Sequence, residues 1–211
     1  MRGVLVTFEG VEGSGKSTQA ELLVRELRRR GIACEFSREP GGTEIGEQIR
    51  LVLLDPAHRI MEPWTELFLY LASRNQCVRE HVLPWLQAGK VVVFDRFAES
   101  SVAYQGAGRG LGETVVARLN KTATTGIKPD LTILVDVPVS VGRERKAAIE
   151  LDRLEQEEVE FHERVRNSYL RMARRAPKRI KVLDGTQPAQ KLAAQVLRPV
   201  EGLLSRKGLL Y

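Results

Sequence analysis

The chain has 211 residues, 43% of them hydrophobic and 28% charged, which suits a single α/β domain with a packed core and excludes a disordered or fibrous chain. Its net charge of +6 suits an enzyme that collects phosphorylated substrates. No apolar run is long enough to span a bilayer, so the chain reads as cytoplasmic, with no membrane partner. Cys34 and Cys77 belong to no metal-ligand spacing and read as buried free thiols. Arg28 to Arg30 end a helix, where cations complement the dipole, so the basic charge requires no nucleic-acid partner.

Strand and helix patterns alternate along the chain. Residues 4–8 predict a first strand and 17–30 a helix closed by Gly31. A short second strand covers 33–37, and Arg38-Glu39-Pro40-Gly41-Gly42 reads as a loop. Residues 43–54 are helical, with Ile45, Ile49, Val52 and Leu53 on one side. Residues 62–87 are mostly helical, interrupted near Pro84. The runs 91–95 and 131–136 are apolar and end in an acid, as buried parallel strands do. Between them lie a glycine-rich connector, 106–112, and a helix, 112–125. Residues 140–176 are helical but broken by a polar section over 146–158; a last strand, 180–183, and helix, 188–204, follow. This alternation predicts a doubly wound parallel sheet with ligands at its carboxyl edge. Gly10, Arg38, Asp95 and Asp136 fall there.

The strongest motif is Gly10-Val11-Glu12-Gly13-Ser14-Gly15-Lys16-Ser17. It follows a strand and opens a helix, the context that makes a P-loop credible. Gly10, Gly13 and Gly15 permit turns that side chains block. The exposed N–H groups, Ser14 and Thr18 included, then face a phosphate chain at the helix N-terminus. Lys16 reaches the β- and γ-phosphates and Ser17 offers its hydroxyl to Mg²⁺. Three classes of P-loop protein fit this motif. A guanine reader is missing, because Asn120-Lys121-Thr122-Ala123 lacks the acid, and Asp95-Arg96-Phe97-Ala98 stands where a GTPase switch would be. The chain has no room for the additions of a motor. A small-molecule kinase needs an arginine-lined second pocket and a lid, and Arg38, Arg50, Arg74 and Arg96 at the sheet's rim suit the first.

Further motifs sharpen this. They are Phe8-Glu9-Gly10 before the loop, Arg38-Glu39-Pro40-Gly41-Gly42-Thr43, Ala72-Ser73-Arg74, Asp95-Arg96-Phe97, Ala103-Tyr104-Gln105-Gly106, Lys128-Pro129-Asp130 and Leu151-Asp152-Arg153-Leu154-Glu155. With them the chain resembles the bacterial thymidylate kinases over nearly its whole length. The resemblance implies a three-layer P-loop kinase fold over 1–211. Its five-stranded parallel sheet carries helices on both faces, with a short mobile lid at about 143–156. It implies phosphorylation of dTMP to dTDP by ATP with Mg²⁺, in a homodimer. Another monophosphate acceptor such as dUMP, or a regulatory protein that binds nucleotides without turnover, stands as the alternative.

Carried over by position, Glu12 contacts the 3′-hydroxyl of dTMP. Arg96, Arg38 and Arg50 hold its phosphate, and Arg74 hydrogen-bonds the thymine O4. Ser101 and Gln105 face the base, and Tyr104 packs against the sugar's 2′ position. Asp95 helps orient Mg²⁺ through water. Tyr70 stands where the family usually has Phe; its ring still stacks on the base. Gly13 leaves the P-loop without a basic finger, and the lid has Ala147-Ala148-Ile149 where relatives carry an arginine. The transferring phosphate then needs a cation from Arg153, Arg145, Arg143 or Lys146. Arg153 ranks first by its motif, and Lys146 last because it lacks the guanidinium fork.

Overall fold

The computed structural model describes residues 3–147 and 151–210. Its strands are β1 (Val4–Glu9), β2 (Cys34–Arg38), β3 (Val91–Asp95), β4 (Leu131–Asp136) and β5 (Ile180–Asp184). They form one sheet in the order β2-β3-β1-β4-β5, parallel at every pairing. The helices are α1 (Lys16–Arg29), α2 (Glu44–Leu54), α3 (Pro63–Cys77), α4 (Leu83–Gln87), α5 (Ala98–Ser101), α6 (Glu113–Ala123), α7 (Val139–Lys146), α8 (Val159–Arg175) and α9 (Ala189–Arg206). This is the three-layer arrangement the alternation predicts.

The strands are buried on both faces, which explains their unbroken apolar runs. Val4, Val6 and Phe8 pack with α1 and α9 through Leu23, Leu27, Val196 and Val200. On the opposite face, Leu5, Val92 and Phe94 meet Val78, Val82 and Phe97, and Leu134 meets Phe161, Val165 and Tyr169 of α8. Burying each aromatic ring contributes roughly 1.5–3 kcal/mol. The threonines inside β1 and β4 satisfy each other: the Thr7 and Thr132 hydroxyls lie 2.9 Å apart. Both cysteines are free and buried, and burial pushes each thiol up to about 12. Val78 and Val82 belong to this core, and Leu67 is buried in a smaller cluster with Val102 and Val116.

The helices depart from the predicted pattern in two places. The break expected at Pro84 is a widened, π-helical turn over Val78–Val82. The widening makes room for a ring that would otherwise strike the carbonyl four residues back. The predicted connector at 106–112 is helical to Gly108, as a second π-helical stretch, Val102–Gly108. A Cβ on Gly108 would stand 2.6 Å from the Phe161 ring, so glycine here lets α8 pack close rather than breaking the helix. The segment expected as a lid, about 143–156, lies between α7 and α8. Its Ala148 and Ile149 lie outside the described residues. On the return side Asp152 Oδ1 accepts from the N–H groups of Leu154 and Glu155, both at 2.9 Å, which closes a turn.

Candidate active site

At the carboxyl edge of the sheet a cavity of about 490 Å³ opens between the P-loop, α2, α3 and the lid base. Glu12, Gly13, Gly15, Lys16, Ser17 and Thr18 line one end. Arg38, Arg50, Tyr70, Asp95, Arg96, Ser101, Tyr104 and Gln105 line the rest. Of the P-loop residues singled out by sequence, Gly10 and Ser14 are buried behind this lining.

The centre of the site is one hydrogen-bonded cluster. Arg96 follows β3 with a left-handed backbone, φ 69, a conformation that costs a non-glycine residue free energy and clusters at functional sites. Its N–H donates to the Phe8 carbonyl at 2.9 Å, which turns the side chain toward the P-loop. Its guanidinium donates to Glu12 Oε1 at 2.8 Å, and to the hydroxyls of Tyr104, Ser100 and Tyr169 at 3.2, 3.2 and 3.3 Å. The Tyr104 hydroxyl donates to the same Glu12 oxygen at 2.6 Å. Behind them Glu9 accepts from Phe97 N–H at 2.8 Å, Ser100 Oγ at 2.6 Å and Tyr169 Oη at 2.8 Å.

Charges follow from these contacts. Burial pushes the Glu12 carboxyl up, but Arg96, His162, Lys16 and Tyr104 outweigh it and hold it well below the usual carboxylate range. Burial and nearby Glu99 push Glu9 up to about 7, against the pull of Ser100, Arg96 and Tyr169. Burial and the Arg96 guanidinium lower the Lys16 ammonium, opposed by Asp95, Glu12 and Glu9. At the rim, Arg38 pairs with Glu47 at 3.2 Å and Arg50 donates to the Pro40 carbonyl at 2.9 Å. Gln105 Nε2 donates to Glu66 at 2.8 Å.

Two of the predicted residues sit back from the cavity wall. Arg74 does not line the cavity. It is 1% exposed and its guanidinium is turned inward. It donates to Glu39 at 2.6 Å, Ser101 at 2.7 Å, the Phe97 carbonyl at 3.0 Å and Asn120. Of those partners, Glu39 and Ser101 line the cavity. Arg153 is likewise 5% exposed; its Nη2 lies 2.7 Å from Glu66 and its Nε donates to the Leu53 carbonyl at 2.9 Å. Arg153 therefore pins the end of the lid to α2 and α3. The cations that do line the cavity from the lid side are Arg145 and Lys146. Lys146 pairs with Glu155 at 2.7 Å. Arg145 donates to the carbonyls of Gly13 at 3.1 Å and Gly185 at 3.0 Å, so it sits on the P-loop itself. Gly13 has no space for a side chain, because a Cβ there would lie 2.2 Å from the Gly142 carbonyl of α7.

Sequence reading passed over Glu9, Glu39, Glu66, Ser100, His162 and Tyr169. Glu9 ends an apolar strand, and Tyr169 continues the apolar face of α8, so each reads as packing until its partners are known.

Oxygen donors for a cation are present. Ser17 and Asp95 line the cavity, and Asp95 Oδ1 is buried without a hydrogen-bond partner among the described residues. No group of three or more His, Cys, Asp or Glu suited to a metal occurs among the described residues. That set suits Mg²⁺, which is held by one or two protein oxygens together with substrate phosphates.

Comparison with known proteins shows the family. The sequence model of the thymidylate kinase family matches residues 8–196. The thymidylate kinase of Kosmotoga olearia is 47% identical over 92% of this chain and 94% of its own length. That of Geotalea uraniireducens is 46% identical over 94% and 96%. The crystal structure of thymidylate kinase from Ehrlichia chaffeensis superposes with a TM-score of 0.78 at 29% identity, covering 95% of this chain and 99% of that one. A P-loop sharing one cavity with an Arg96–Glu12–Tyr104 cluster, on a sheet of this order, has the same meaning as the sequence similarity: the chain belongs to the thymidylate kinase family.

Proposed function

We propose that this protein transfers the γ-phosphoryl group of ATP to dTMP, giving dTDP and ADP, with Mg²⁺. The observation that carries this reading is the single cavity in which Lys16 and the Arg96 cluster face each other. Two anionic substrates meet there between fixed cations. Phosphoryl transfer asks the protein mainly for positioning and charge stabilisation. The acceptor is already an anionic phosphate and needs no strong base.

The P-loop amides and Lys16 hold the ATP phosphates. Arg96, with Arg38 and Arg50, holds the dTMP phosphate. Glu12 and Tyr104 face the sugar, and the Tyr70 ring stacks on the base with Ser101 and Gln105 at its edge. Ser17 and Asp95 would hold Mg²⁺, which supplies charge neutralisation between the phosphates when bound. Arg145, already on the Gly13 carbonyl, takes the place of the lid cation that Arg153 is too buried to supply. We also assign a homodimer, formed through α2 and α3. Leu51 is 66% and Phe68 56% exposed, beside exposed Ile45, Val52 and Trp64, an apolar patch of the kind that marks an interface. No helix of the described residues is long and apolar enough to cross a membrane, and an enzyme of this reaction belongs in the cytoplasm with its ATP.

A coupled assay on purified protein tests the reaction. ADP formation that depends on dTMP supports it. Stronger turnover of dUMP shifts the acceptor, and binding of both nucleotides without turnover replaces the kinase by a regulatory protein.

A further inference from the structure

α8 buries an apolar face against the sheet: Phe161, Val165, Tyr169 and Ala173 at helical spacing. Two polar residues are buried with it: Ser168, which donates to Glu113 at 2.8 Å, and His162. His162 is 4% exposed, and its Nε2 is buried with no hydrogen-bond partner among the described residues. Burying a polar ring without full satisfaction costs free energy, so such a group calls for a reason. Its other nitrogen supplies one: Nδ1 stands 3.5 Å from Glu12 Oε2. That separation is an electrostatic contact rather than a closed hydrogen bond. Glu12 is therefore held on both sides. Oε1 is occupied by Arg96 and Tyr104, while Oε2 is buried with no hydrogen-bond partner among the described residues and faces His162. Tyr169, two helical turns beyond His162 on the same helix, holds Glu9 and Arg96. One helix, the one that leaves the lid, thus supports both the acid and the arginine of the acceptor end.

We infer that His162 is a positioning residue: it braces the buried Oε2 side of the Glu12 carboxylate and so fixes the Glu12, Arg96 and Tyr104 cluster that faces the acceptor's sugar. This rests on the reading of the protein as a dTMP kinase. The carboxylate rotates about one soft torsion. With Oε1 tethered to Arg96 and Tyr104, His162 stands against Oε2 on the far side and opposes that rotation. Replacement of the imidazole by an apolar ring leaves Glu12 without that second constraint, and the loss falls on acceptor binding rather than on ATP.

The test is steady-state kinetics of the parent, His162→Phe, His162→Asn and His162→Gln, with thermal unfolding of each. Asn places an amide donor where Nδ1 stands; Gln places it nearer Nε2. His162→Phe is expected to raise the KM for dTMP about tenfold, the worth of a hydrogen-bond-scale contact to a charged group, with the KM for ATP within about twofold. His162→Asn restores most of the loss and His162→Gln does not. With a dTMP analogue lacking the 3′-hydroxyl, parent and His162→Phe converge. An active parent whose dTMP KM is unmoved in His162→Phe overturns the inference alone. So does a pattern in which all three variants lose stability and both KM values rise together, for then the ring only fills space. A parent that leaves dTMP unphosphorylated overturns the functional reading, and this inference with it.

Discussion

Replacing Arg74 by alanine separates its observed structural role from the base-reading role that its motif implies. The side chain is almost fully buried and makes four hydrogen bonds, one of them to the buried Glu39 carboxylate at 2.6 Å. Glu39 Oε1 already lacks a partner, so Arg74 is its main compensation. Removing one member of a buried ion pair costs about 3–5 kcal/mol, because the other charge remains in a low-dielectric environment. That is a large share of a typical total of about 5–15 kcal/mol. In urea, with a slope of about 1–3 kcal/mol/M, the midpoint should fall by at least about 1 M at pH 7. The pH dependence follows by sign. Burial already raises Glu39 above its ordinary 4.5, against the pull of Arg74. Loss of the guanidinium raises it further, so the folded variant keeps a proton that the unfolded chain has released. The deficit should therefore shrink as the pH falls toward 4.5 and grow as it rises. Arg74→Met combined with Glu39→Gln, which removes both charges, should recover part of the loss. If Arg74→Ala keeps its urea midpoint within about 0.3 M while the KM for dTMP rises and that for ATP does not, the structural reasoning is wrong.

Five further outcomes are expected. Arg145→Ala should cut kcat by at least about tenfold, as loss of a cation at the transferring phosphate does. Arg153→Ala should cost more stability than Arg145→Ala and less kcat; single-turnover kinetics beside urea unfolding would show the order reversed if Arg153 is the finger. Gly13→Ala drives a Cβ into the Gly142 carbonyl at a backbone φ of 68, so ATP affinity and thermal stability should both drop; an unchanged enzyme would mean that α7 does not rest on the P-loop. Glu9, at about 7 against an ordinary 4.5, keeps a proton in the folded state that the unfolded chain has lost. Stability should therefore fall as pH rises from about 4.5 to about 7 and level off above, and a Glu9→Gln variant that retained the same slope would assign it to another group. Phe68→Asp should yield a monomer in light scattering, and a variant that stays dimeric moves the interface off α3.

The sheet and the nucleotide loop were legible in the sequence because their signals are local. An apolar run ending in an acid, a glycine loop and a helical repeat each sit within a dozen residues, and they located β1, β3, β4 and the P-loop to within a residue or so. Arg96 was legible for the same reason, since it follows a strand end whose loop must lie at the carboxyl edge. The direction of a long side chain was not. Arg74 and Arg153 stand in motifs as specific as that of Arg96, yet both turn inward. Glu39 and Glu66 are buried beside them, and a guanidinium goes to the nearest desolvated carboxylate. Those carboxylates lie on other elements, 35 residues away for Glu39 and, for Glu66, on a helix brought up only when the sheet is assembled. His162 and Tyr169 carry no mark along the chain either. Their spacing on α8 is that of core residues, and what distinguishes them is the P-loop acid and the arginine that meet that face. Sequence by itself determined the fold, the family and the sheet edge where the P-loop lies; packing decided which charges line the cavity and which hold the walls that surround it.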